Sequence, residues 1–199
     1  MQLRAKYKIC RRLGAPVFEK CQTQKFALSE GRRKQGKRAK APSDYGVQML
    51  EKQKIRFSYG VTEKQFSNYV KKASNKKGVS ASEFLKALLE SRLDNVVYRL
   101  GLAHTRALAR QMVAHGHFMV NNRRTTSPAY ALRAGDTVTV REGSRASALF
   151  SDIEKKMQNY SLPTWLSFDP KTMTGKVVSA PRADDAFLNF GAVIEFYSR

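Results

Sequence analysis

Between Leu89 and Glu142 the chain carries eight arginines (Arg92, Arg99, Arg106, Arg110, Arg123, Arg124, Arg133 and Arg141) and not one lysine. A guanidinium is a planar fork that grips phosphate through two parallel hydrogen bonds and stacks on bases, which an ammonium cannot do. Arg106 and Arg110 lie four apart, about one helical turn, so two forks would stand on one stripe and bracket adjacent phosphates. Neither has an acidic residue four positions away to make a surface ion pair. Both are therefore assigned to nucleic acid, together with Arg92, Arg99, Arg123 and Arg124.

Two other residue types could do chemistry. His115 and His117 would need further ligands to hold a metal, and their expected role is hydrogen bonding or stacking on RNA at a helix end. Cys10 and Cys21 sit eleven apart, outside any CxxC pair. Structural zinc takes four nitrogen or sulfur ligands in a tetrahedron, and two thiolates do not supply them. No metal and no cofactor is expected.

The elements that must position these side chains follow from periodicity. Leu93, Val96, Val97 and Leu100 repeat with helical spacing up to Gly101, and Thr105 is a natural N-cap for a second helix burying Leu108, Ala109, Met112 and Val113. After Gly116, residues 117–120 read as a strand into an Asn121–Asn122 turn, with Asn121, Arg123 and Arg124 at the hairpin tip as RNA contacts. A second strand runs from Asp136 to Val140. Upstream, Ser43 and Asp44 start a helix that stops at Gly60, Thr62 starts another, and a third begins at Ser80 or Ser82. Lys54 and Arg56 on these helices are expected to touch RNA, while Phe57, Tyr59 and Tyr69 are either core or stacking partners. Downstream, 146–160 suggests a helix, 163–178 an extended region, and the closing VIEFY a β-rich run.

Composition sets the class. The 199 residues hold 37 basic and 16 acidic side chains, a net charge of +21. A soluble domain usually carries a net charge of only about 2–8, so this field marks a polyanion binder whose association releases counterions. No run of about 18 apolar residues exists, which argues against a membrane partner. Cysteine usage fits a reducing cytoplasm. Residues 1–44 carry 13 basic and 3 acidic groups, about half of the net charge. Ser29–Pro42, with Arg32, Arg33, Lys37, Arg38 and Lys40, has too little apolar surface to fold alone and is expected to order against RNA. Arg11 and Arg12 belong to the same basic arm.

RLDNVVYRLG, TRALARQMVAHG and MVNNRR resemble the S4 RNA-binding domain family. The flanking SDYGVQMLEKQKIRFSYGVTEKQFSNY and the ending VIEFYSR are similar to what surrounds that domain in bacterial-type small-subunit ribosomal proteins. The resemblance covers most of the chain from Ser43 to Arg199. It implies a non-enzymatic constituent of the cytoplasmic ribosome that binds small-subunit ribosomal RNA at a multi-helix junction, nucleates subunit assembly and touches neighbouring small-subunit proteins. It also implies a place near the channel through which mRNA enters, where Lys37, Arg38 and Lys40 match a basic region, and a role in translational accuracy. The implied fold is α+β: a mainly helical domain (45–88 and 143–199) interrupted by an inserted two-helix plus small antiparallel sheet RNA-binding domain (89–142), behind a basic N-terminal arm (1–44). Zinc-bearing relatives have four cysteines in the arm. Here Cys10 and Cys21 match two of those positions, while Tyr7 and Phe26 stand at the others, as in a decayed zinc knuckle. The same small domain is appended to pseudouridine synthases, whose catalytic Asp stands in an R-L-D context like Arg92–Leu93–Asp94. This RLD opens a helix of the binding unit itself, so Asp94 is read as a helix-start anion.

Overall fold

A computed structural model describes residues 5–24, 26–27, 43–151, 153, 157, 160–181 and 188–198. The chain divides into two compact units, one of Met1–Leu85 with Asp184–Arg199 and the other of Lys86–Ala183.

The first unit is helical. Helix α1 (Lys6–Leu13) buries Cys10 and Leu13 and ends at Gly14 in the left-handed region. A short 3-10 turn at Glu19–Cys21 follows. These pieces close a small cluster of Cys10, Leu13, Val17, Phe18, Cys21 and Phe26, against which Leu50 and Phe57 pack. Helix α2 (Asp44–Ser58) starts where the Ser43 hydroxyl accepts the Gly46 amide. Helix α3 (Glu63–Ser74) opens on a capping box between Thr62 and Gln65. Two orphan donors are satisfied there at once, which is why the sequence marked this start so clearly.

The C-terminal run Phe190–Tyr197 corrects the expected β-rich ending: it is a helix. Asn189 caps it by accepting the Ala192 amide at 3.0 Å. Phe190 and Val193, three apart, are its buried pair. β propensity reports fit to a pleated, half-buried surface, and burial on a helical stripe overrides it here.

The second unit begins within helix α4 (Ala81–Glu90). It continues through α5 (Leu93–Arg99) and α6 (Arg106–Ala114) into β1 (Phe118–Val120), β2 (Arg123–Arg124) and β3 (Thr137–Val140). A short helix α7 (Glu142–Arg145) precedes β4 (Leu166–Asp169) and β5 (Thr174–Val177). The last helix, Phe190–Tyr197 of the first unit, is α8.

The five strands form one antiparallel sheet in the order β2-β1-β3-β5-β4. Phe118 faces Val140 and Val120 faces Val138, while Val138 also faces Gly175. Gly175 leaves room for Leu100: a Cβ there would meet Leu100 Cδ1 at 2.5 Å and force that buried side chain to shift. The β3–β5 pairing carries the sheet past residue 142. Residues 143–183 complete the sheet-bearing unit, with Phe150, Ile153, Trp165, Leu166 and Val177 in the same core as Leu93, Val97, Met112 and Phe118. Only the terminal stretch returns to the helical unit. The cause is the exposed edge of β3, which a hairpin covers.

Candidate nucleic-acid interface

Helices α5 and α6 carry the arginines, and carboxylates from α4 and α5 hold them. Asp94 lies in the first turn of α5, where an anion suits the helix dipole. It accepts Arg92 Nε at 3.0 Å and Nη2 at 2.7 Å. It also accepts Arg110 Nε at 2.9 Å and Nη2 at 2.7 Å. Glu90 does the same for Arg99, whose Nε and Nη2 donate at 3.0 and 2.9 Å. Asn95 joins the pieces, donating to Glu90 at 2.7 Å and accepting Arg106 Nε at 2.8 Å. The Arg106 guanidinium lies over the Tyr98 ring, 4.5 Å from its centroid.

This network corrects three expectations. Arg92 is 2% exposed, so its charge is spent in the core and not on RNA. Arg106 and Arg110 do have polar partners; these come from α5, across the helix pair, where a search along one helix cannot find them. Asp94 is more than a helix-start anion, and its carboxylate, held by two guanidiniums, is not a free base or nucleophile. Glu90, Asn95 and Tyr98 escaped the sequence reading. Their signal was present only as polar residues flanking an arginine-rich helix start.

The hairpin supplies the second group of cations. Asn121 and Asn122 adopt φ of 47° and 63°, the pair of left-handed residues that a tight hairpin turn needs. The Asn121 side chain is committed to that turn, donating to Asp136 at 2.8 Å and accepting the Thr137 amide at 2.9 Å. Arg123 and Arg124 are exposed on β2. Arg124 folds back to donate to the His115 carbonyl at 3.4 Å. It crosses over Gly116 (φ +74°), where a Cβ would meet its guanidinium at 2.5 Å.

His115 and His117 sit with ring centroids 6.1 Å apart. His117 Nδ1 is 3.0 Å from the Ser144 hydroxyl. Burial, then the charges of His115, Arg141 and Arg124, hold the His117 imidazole below its ordinary 6.5.

In the helical unit, Lys54 pairs with Glu51 at 2.6 Å. Arg56 donates to Gln53 at 2.9 Å, lies 3.4 Å from Glu63 and stacks 4.3 Å from the centroid of Phe57. Tyr59 is 2% exposed and belongs to the core, which removes it from the stacking candidates. Tyr69 is half-buried on α3. Arg11 and Arg12 are exposed on α1, Arg11 lying 5.8 Å from the Phe26 centroid. Arg32, Arg33, Lys37, Arg38 and Lys40 lie outside the described residues.

In the arm, the Tyr7 and Phe26 rings stack at 5.5 Å with 17° between planes, beside the buried thiols of Cys10 and Cys21. Among the described residues, no three His, Cys, Asp or Glu side chains gather as a metal site. No described helix is long and apolar enough to cross a membrane.

Residues 2–90 match the profile described as the ribosomal protein S4/S9 N-terminal domain, and residues 91–138 match the S4 domain. The chain is 44% identical to small ribosomal subunit protein uS4 of Syntrophomonas wolfei, covering 96% of this chain and 95% of that protein. It is 46% identical to uS4 of Thermus thermophilus and 44% identical to uS4 of Roseiflexus castenholzii, with 96% of each chain covered in both cases.

Proposed function

Because the chain belongs to the family of small ribosomal subunit protein uS4, we propose that it is a structural constituent of the small subunit of the cytoplasmic ribosome that binds small-subunit ribosomal RNA directly. The family is non-enzymatic, and the buried, doubly paired Asp94 agrees with that. The observation that carries the reading is the α5–α6 pair, on which Arg99, Arg106 and Arg110 are held in place by Glu90, Asn95 and Asp94. Arginines fixed in this way suit phosphates whose spacing is set by a folded RNA.

Beyond that, the protein binds at a multi-helix junction, nucleates subunit assembly and contacts neighbouring small-subunit proteins. Its arm, through Lys37, Arg38 and Lys40, lies near the channel through which mRNA enters and supports accuracy. Family membership and the concentration of positive charge in residues 1–44 support this placement.

Equilibrium binding to naked small-subunit rRNA, with large-subunit rRNA as competitor, tests direct recognition. Preference for the small-subunit RNA that survives excess competitor is expected; equal affinity for both overturns it. Reconstitution of the subunit without this protein tests nucleation. Assembly should stall early, and normal particles formed at the normal rate would refute that role.

A further inference from the structure

We infer that Asp94 and Glu90 are positioning residues for RNA specificity: buried carboxylates that fix the directions of Arg110 and Arg99, so that this helical face accepts one arrangement of phosphates and not others. The inference rests on the RNA-binding reading above and assigns the discrimination within it to acidic side chains.

A carboxylate beside a polyanion site works against affinity through simple charge repulsion. Two of them lie at this face, and neither is a solvated surface acid. Glu90 is 0% and Asp94 3% exposed. Each receives both Nε and Nη2 of an arginine that still reaches solvent, the Arg110 side chain being 25% and the Arg99 side chain 19% exposed. Glu90 takes Arg99 through both of its oxygens and Asp94 takes Arg110 through two bonds onto one oxygen, and either pair of bonds constrains a guanidinium's direction more than a single bond can. Asn95 extends the constraint to Arg106, and the Tyr98 ring beneath that guanidinium sets its plane. The rotamer freedom these arginines would lose on gripping phosphate has been lost already in folding.

Loose cations follow any phosphate, whereas fixed ones match only the spacing they were set to. Freeing Arg110 therefore trades specificity for indiscriminate attraction. A purely structural carboxylate would alter stability and leave that trade untouched.

The experiment compares full-length wild type with Asp94→Asn, Glu90→Gln and Arg110→Lys, each shown by circular dichroism to be folded. Binding is measured to naked small-subunit rRNA and to a non-cognate RNA duplex over a salt series. In Asp94→Asn, non-cognate binding should hold or tighten with a steeper salt dependence, while the cognate to non-cognate ratio falls about tenfold. Glu90→Gln should move the same way. Arg110→Lys keeps the charge, sits on a partly exposed side chain and loses only the fork. It should lower the ratio at an unchanged salt slope, and it carries the test if a carboxylate variant fails to fold. Ratios within twofold of wild type in the folded variants would overturn the positioning role while leaving RNA recognition intact. A wild-type protein with no preference for small-subunit rRNA would instead remove the reading beneath it.

Discussion

Asp94 and Arg110, sixteen residues apart on successive helices, are joined by two hydrogen bonds of 2.7 and 2.9 Å onto one carboxylate oxygen. The same carboxylate receives Arg92 from the start of its own helix. One buried anion therefore ties a core cation to a partly exposed one, and the two arginines should answer mutation differently.

Arg92→Ala should cost folding stability and spare the salt slope of RNA binding. Removing one partner of a buried pair costs about 3–5 kcal/mol, and Asp94 keeps Arg110 only as partial compensation. Urea unfolding checks this; a loss under about 1 kcal/mol would show that Arg92 is not part of the core.

Arg123→Ala and Arg124→Ala should behave in the opposite way. Both side chains are exposed at the hairpin, so each loss should weaken RNA binding and lower the salt slope by about 0.9 per phosphate contact given up. Affinity against salt is the measurement. Unchanged slopes in both variants would place the hairpin off the RNA.

His117 gives the free protein a pH dependence. Its folded imidazole titrates below 6.5, chiefly through burial and then through His115, Arg141 and Arg124. On lowering the pH the unfolded chain takes up the proton first, so stability is lost as pH falls through about 6.5 and below. Urea midpoints should drop from about pH 7 to about pH 5, and the drop should shrink in His117→Asn. An equal drop in that variant would assign the effect to other groups.

The arm should hold no stoichiometric zinc. The Tyr7 and Phe26 rings stack in the arm, and the two buried thiols of Cys10 and Cys21 fall short of the four ligands that structural zinc takes. Elemental analysis of protein purified without chelator should give well below one zinc per chain, and one equivalent would overturn this.

Local starts and stops were legible in the sequence because their chemistry is local. Ser43, Thr62 and Thr105 each cap the helix they were expected to open. Asn121–Asn122 turns as its tolerance of positive φ suggested. What escaped depends on partners distant in the chain. Asn95 and Asp94, which hold Arg106 and Arg110, lie on another helix, Tyr59 is buried by its neighbours, and VIEFY became a helix once Asn189 capped it and Phe190 and Val193 found a core. The full extent of the sheet was hidden for the same reason, because only the pairing of Thr137–Thr139 with Thr174–Lys176 shows that the downstream hairpin completes it.

Chemical footprinting of naked small-subunit rRNA with the full-length protein tests the central claim most directly. The account predicts strong protection confined to one multi-helix junction, weakening as salt rises. Diffuse protection spread along the RNA, or protection equal on large-subunit rRNA, would contradict it.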